Sequence, residues 1–142
     1  MSQSMPTPIE QTFPRIAASV RAARGFVVDR LDSAGADPAA ISTIELAVSE
    51  LASNSIEHGH GDSFCVAIVI DDLTMWELTV TGSGKLQPRF LDPSTWRVAE
   101  HGEESGRGLG IVQSLMDSVE VAAHDDEVAV RCRLVRQGSI SS

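Results

Sequence analysis

The stretch Glu45-Leu46-Ala47-Val48-Ser49-Glu50-Leu51-Ala52-Ser53-Asn54-Ser55-Ile56-Glu57-His58-Gly59 decides the reading of this chain, because it repeats with the period of one amphipathic helix. Ile44, Ala47, Val48, Leu51 and Ala52 fall on a single apolar stripe. Glu50, Asn54 and His58 recur at four-residue intervals, about 400° of helical rotation per step, so they form one slowly drifting polar row. The row borders the apolar stripe, where it can line the floor of a pocket. A carboxylate there can accept a proton, and an amide oxygen is a hard ligand for magnesium, an ion that brings phosphate oxygens with it. By default such a row is a solvated face, so its chemistry needs support from elsewhere in the chain.

Working outward, Ile16, Val20, Ala23, Val27 and Leu31 recur at helical spacing, which predicts a first helix over 15–31 that ends at Ser33 to Gly35. Asp37-Pro38 supplies an N-cap and a proline at the first helical position, opening the helix of the Glu50 row, and Gly59 and Gly61 close it. Ile9 to Phe13 reads as a short edge strand. Phe64 to Ile70 and Trp76 to Val80 read as an antiparallel strand pair, rich in β-branched and aromatic residues. The segment 82–105 has no sustained period and reads as a long loop, of the kind that is functional or mobile. Leu109, Ile111, Val112, Leu115 and Met116 then mark a third helix, and Ser118 to Ala123 with Val128 to Val135 a second strand pair about a turn at Asp125-Asp126. The order of elements predicts an α/β fold, a two-layer α+β sandwich with helices on one face of a mixed, mainly antiparallel sheet. One domain over 9–135 is expected, with disordered ends at 1–8 and 136–142.

The 142 residues suit one compact domain, and 42% hydrophobic content allows a buried core. A mean hydropathy of +0.01 and the absence of an apolar run of membrane length or of a leader-like start predict a cytoplasmic protein that contacts no membrane. The net charge of −9 argues against a partner bound through its phosphate backbone, so no direct nucleic-acid contact is expected, and a basic protein surface suits it better. Cys65 and Cys132 each sit in a strand-like apolar run without a second metal ligand nearby, and read as buried free thiols.

Gly106-Arg107-Gly108-Leu109-Gly110 stands directly before the third helix, where backbone N–H groups can face an anion and Arg107 adds charge. The glycines follow a polar loop rather than a strand, which excludes a dinucleotide-binding fingerprint, and no Gly-Lys-Ser/Thr closes them as in a P-loop. Taken with the Glu50-xxx-Asn54-xxx-His58-Gly59 helix, this cluster resembles the Bergerat ATP-binding fold shared by histidine kinases, gyrase and MutL. By size and order the chain is most similar to the stand-alone RsbW-type anti-sigma factor serine/threonine kinases, over roughly 9–135.

The resemblance implies ATP and Mg2+ as cofactors, with Asn54 as the metal ligand and Glu50 as general base towards a seryl or threonyl hydroxyl. It makes 85–105 an ATP lid, and places Gly106, Arg107, Gly108, Leu109 and Gly110 at the phosphates and His58 near the end of the pocket. The implied partners are a sigma factor and a STAS-domain antagonist, with a homodimer left open. The family's Asp-x-Gly-x-Gly, whose Asp accepts from the adenine amino group, meets Thr81-Gly82-Ser83-Gly84-Lys85-Leu86 here. With the middle glycine on Gly84, Gly82 stands where the Asp belongs, and Thr81 or Ser83 is the candidate replacement. Two readings therefore stand side by side: an active kinase, and a non-catalytic partner-switching module with weakened nucleotide binding.

Overall fold

The structure, a computed structural model, describes residues 7–70, 73–84, 93 and 107–136, with the backbone alone at Arg107. In chain order its elements are β1 (Ile9–Pro14), α1 (Ala18–Ser33), α2 (Pro38–His58), β2 (His60–Val69), β3 (Met75–Ser83), α3 (Arg107–Leu115), β4 (Ser118–His124) and β5 (Glu127–Val135). The strands form one sheet in the order β1-β2-β3-β5-β4, and every pair in it is antiparallel.

Period-2 alternation sorts the sheet into two faces. Phe13, Phe64, Val66, Ile68, Trp76, Leu78, Val80, Val130 and Cys132 are buried towards the helices. The opposing layer comes from Ala23, Val27 and Leu31 of α1, the Ile44 to Ala52 stripe of α2, and Leu109 and Val112 of α3. Phe13 stacks on Phe64 with ring centroids 5.7 Å apart and meets Phe26 of α1 edge-on, so the aromatic contacts gather where β1 crosses β2. On the outer face Arg133 donates to Glu77 at 2.9 Å and to Glu120 at 3.1 Å, joining β3, β5 and β4 through charged pairs.

All five residues of the α2 stripe are buried, as its period requires. Asp37 takes the extended N-cap conformation ahead of Pro38, although its side chain makes no capping hydrogen bond. Gly59 follows α2 in an extended conformation, not a left-handed one, and its need for glycine is one of space. A Cβ there would run into the Ser55 carbonyl and come within 3.0 Å of the Ser83 carbonyl, so the helix end and the end of β3 touch through Gly59.

Several expectations are corrected. α1 starts at Ala18, and Ile16, counted with its apolar stripe, is 54% exposed. The helix is excluded from that stretch because Arg15 is engaged elsewhere: its Nε donates to the Gly61 carbonyl at 2.8 Å and its Nη1 to the Ile56 carbonyl at 2.7 Å. A cation is thus set on the Ile56 carbonyl at the C-terminal end of α2, the end whose dipole favours positive charge, and on the Gly61 carbonyl just beyond it. Arg15→Ala should lower the unfolding free energy by on the order of 1–2 kcal/mol. A lowered urea midpoint with unchanged slope is the expected result, and an unchanged midpoint contradicts this role for Arg15.

β2 starts at His60 rather than Phe64, because its first four residues are all exposed and its register with β3 is broken between His60 and Phe64, leaving no alternation to read. β3 extends through Gly82 and Ser83, which had read as loop. Cys65 is half-buried on the outer face, not buried. Cys132 is buried, and burial pushes its thiol up to about 12, which keeps it protonated and unreactive near neutral pH. The turn between β4 and β5 falls at Asp125-Asp126 as expected, with Asp125 at φ 54°. Arg136, assigned to the tail, donates its backbone N–H to Thr74 and lies over the Trp76 ring at 4.1 Å. Among the described residues no helix is long and apolar enough to cross a membrane.

Candidate functional site

Where α2 and α3 pass over the ends of β3 and β5, the layers part into an open cleft of about 510 Å³, its solvent mouth included. Leu51, Val80, Leu109, Val128 and Val130 supply apolar walls, from four different elements. Asn54, Ser55 and His58 of α2 border it with polar groups, and Gly82, Ser83 and Gly84 form its rim at the end of β3. A mainly apolar cleft with a few polar groups on one side suits a flat heterocycle with a polar extension.

The polar row is graded in depth. Glu50 and Asn54 are half-buried and His58 is exposed, with its Nε2 3.7 Å from Glu57 on the surface. Glu50 points to the first turn of α3: a Cβ built on Gly108 would overlap the Glu50 carboxylate and lie 3.0 Å from its Cγ. The lack of a side chain at Gly108 is what lets the acid and the start of α3 come together. Asn54, one turn further along α2, faces the cleft itself. The helix therefore presents a carboxylate to the start of α3 and an amide to the cavity beside it.

The other sequence candidates divide. Leu109 is 3% exposed and forms part of the cleft wall, and Gly84 lies on the rim at φ +133°, its N–H bonded to the Asp126 carbonyl of the β4–β5 turn. Gly110 is buried within α3 and does not line the cleft. Gly106, the Arg107 side chain and the lid expected over 85–105, Pro93 apart, lie outside the described residues.

At the missing Asp the geometry is specific. Gly82 faces the helices, because it follows Trp76, Leu78 and Val80 at period 2, and it lines the cleft. Thr81 therefore faces away, paired with Cys65 and Ala129 on the outer side of the sheet, and cannot serve as the replacement. The residue opposite Gly82 is Ser55, whose Oγ would lie 3.2 Å from a Cβ at position 82. Sequence reading missed Ser55 and the wall formed by Val80, Val128 and Val130. Alternation along β3 and β5 was the available signal for the wall; for Ser55 there was none, since only the tertiary approach of α2 to β3 reveals it.

Whether these residues fit a magnesium nucleotide can be judged from their chemistry. Among the described residues no group of three His, Cys, Asp or Glu could hold a metal ion, and the Asn54 amide oxygen is the candidate ligand beside the cleft. The apolar walls and the side-chain-free approach at Gly108 fit a base at one end and phosphates at the other. At Gly82 the Ser55 hydroxyl stands near the place where a carboxylate was expected.

A two-layer sandwich with this cleft defines a class of nucleotide-binding domain, and the family model for the histidine kinase-like ATPase domain matches residues 13–134. The chain belongs to that family. It is similar in structure to the RsbU and RsbW domains of Rv1364c from Mycobacterium tuberculosis, with a TM-score of 0.65 at 17% identity, over 93% of this chain and 33% of that one. The chain thus spans about a third of that protein. It is also similar to the catalytic domain of the histidine kinase ThkA, with a TM-score of 0.55 at 15% identity, over 90% of this chain and 98% of that one. At these identities the likeness concerns the fold.

Proposed function

We propose that the cleft binds ATP with Mg2+ and that the chain is a serine/threonine protein kinase of the anti-sigma, partner-switching kind. One observation carries the reading: Glu50 and Asn54, one turn apart on α2, meet the start of α3 and the cleft respectively. Phosphoryl transfer needs little from a protein beyond positioning and charge compensation, and these are the groups that such an arrangement supplies.

When bound, the nucleotide supplies the phosphoryl group and the magnesium ion screens its charge. Asn54 would hold the ion through its amide oxygen. Backbone N–H groups in the first turn of α3, at Gly108 and Leu109, would face the phosphates, and the charge of Arg107 would offset theirs. Leu51, Val80, Leu109 and Val130 would exclude water from the base. Glu50 would take the proton of a seryl or threonyl hydroxyl as that oxygen attacks, and His58, on the exposed last turn of α2, would stand at the mouth.

The RsbW-containing relative and the net charge of −9 support a protein partner, and on this reading the phosphorylated partner is a STAS-domain antagonist and the sequestered one a sigma factor. Gly82 favours a second reading, a non-catalytic switch with weak nucleotide binding, since a buried acceptor is missing there. Incubation with magnesium, γ-labelled ATP and a small STAS-domain protein from the same cell separates the two. Label on a serine or threonine of that protein is expected; label released only as inorganic phosphate, or left on ATP, contradicts the kinase.

A further inference from the structure

Resting on the nucleotide reading above, we infer that Ser55 is the residue that reads the purine base, and that its hydroxyl makes the cleft accept guanine as well as adenine. Ser55 and Gly82 both line the cleft, and a Cβ at position 82 would sit 3.2 Å from the Ser55 Oγ and 3.6 Å from its Cβ. The hydroxyl therefore reaches into the space next to the missing side chain. Ser49 and Ser114 bond their hydroxyls to helix carbonyls at 2.9 Å and 2.8 Å, whereas among the described residues no hydrogen bond engages the Ser55 hydroxyl. It is available to a ligand.

The chemistry of selectivity follows from the exchange of groups. A carboxylate only accepts hydrogen bonds, so it favours the 6-amino group of adenine and repels the 6-oxo group of guanine. A hydroxyl rotates and does either, accepting from the amino group or donating to the oxo group. No Asp or Glu lines the cleft among the described residues, and Thr81 faces the other side of the sheet, so among them no anionic group restores the distinction. The apolar walls hold either purine equally, because both present the same flat face.

The same distances dictate how selectivity can be rebuilt. Gly82→Asp alone would press its Cβ on the Ser55 hydroxyl at 3.2 Å, whereas with Ser55→Ala the nearest atom becomes the residue 55 Cβ at 3.6 Å, an ordinary contact. The pair Ser55→Ala/Gly82→Asp should therefore place the acid in ordinary contact, whereas Gly82→Asp alone requires the Ser55 hydroxyl to give by a few tenths of an ångström.

The experiment is calorimetric titration of the full chain and these variants with ATP, GTP and CTP in the presence of magnesium. The wild type should bind ATP and GTP with dissociation constants within about threefold of each other, and CTP more weakly. Ser55→Ala should weaken both purines by roughly fivefold to tenfold, the loss of one hydrogen bond, and the double variant should prefer ATP over GTP by at least about tenfold. A wild-type preference for ATP above about a hundredfold, or purine binding unchanged in Ser55→Ala, overturns this inference alone. No binding of any nucleotide at millimolar concentration overturns both it and the nucleotide reading.

Discussion

Glu50→Gln is expected to leave nucleotide binding within about threefold of the wild type while lowering phosphoryl transfer to the protein substrate by roughly 10²- to 10⁴-fold. The substitution is nearly isosteric, so the side chain keeps its packing against Gly108, where the Glu50 carboxylate lies too close for any Cβ to intervene. What it loses is the ability to take up a proton. Binding is held by other groups, the amide of Asn54 and the apolar walls, which the change does not touch. Single-turnover transfer measured beside calorimetric binding separates the two effects, and transfer at the wild-type rate would remove Glu50 from its proposed role.

Gly108→Ala is the second large effect. The new Cβ claims the space of the Glu50 carboxylate, and the acid, which sits on a flexible side chain and is only half-buried, must swing aside. Transfer should fall about 10²-fold through this misplacement. Unfolding free energy should change by no more than about 1–3 kcal/mol, the ordinary cost of a crowded contact. A double-mutant cycle with Glu50→Gln identifies the cause: if both changes act through the same carboxylate, their effects on transfer are far from additive. Additive losses would show that Gly108 acts through something other than Glu50.

The parts legible in the sequence are those that depend on local periodicity. The α2 stripe is buried on the face its 3.6-residue repeat defines, and alternation through Phe64, Val66 and Ile68 faced the core as strands require. Ile16 failed because it satisfies the helical spacing but follows Pro14 and Arg15, and Arg15 is committed to carbonyls more than forty residues away. The end of β3 was hidden because Gly82-Ser83-Gly84 carries the composition of a loop, while Gly82 and Ser83 pair on both sides as a strand does. Of the site, the Glu50 row was visible as a spacing, but its meeting with Gly108 was not. The approach of Ser55 to Gly82 depends equally on how α2 is laid across the sheet, which no local pattern encodes.

Binding of ATP to this chain with magnesium, measured by calorimetry on the wild type and on Asn54→Ala, tests the central claim most directly. The account predicts one saturable site per chain in the wild type, dependent on magnesium and lost on removal of the Asn54 amide, in a variant whose thermal unfolding is otherwise close to that of the wild type. No saturable binding at millimolar ATP, or undiminished magnesium-dependent binding in Asn54→Ala, would contradict it.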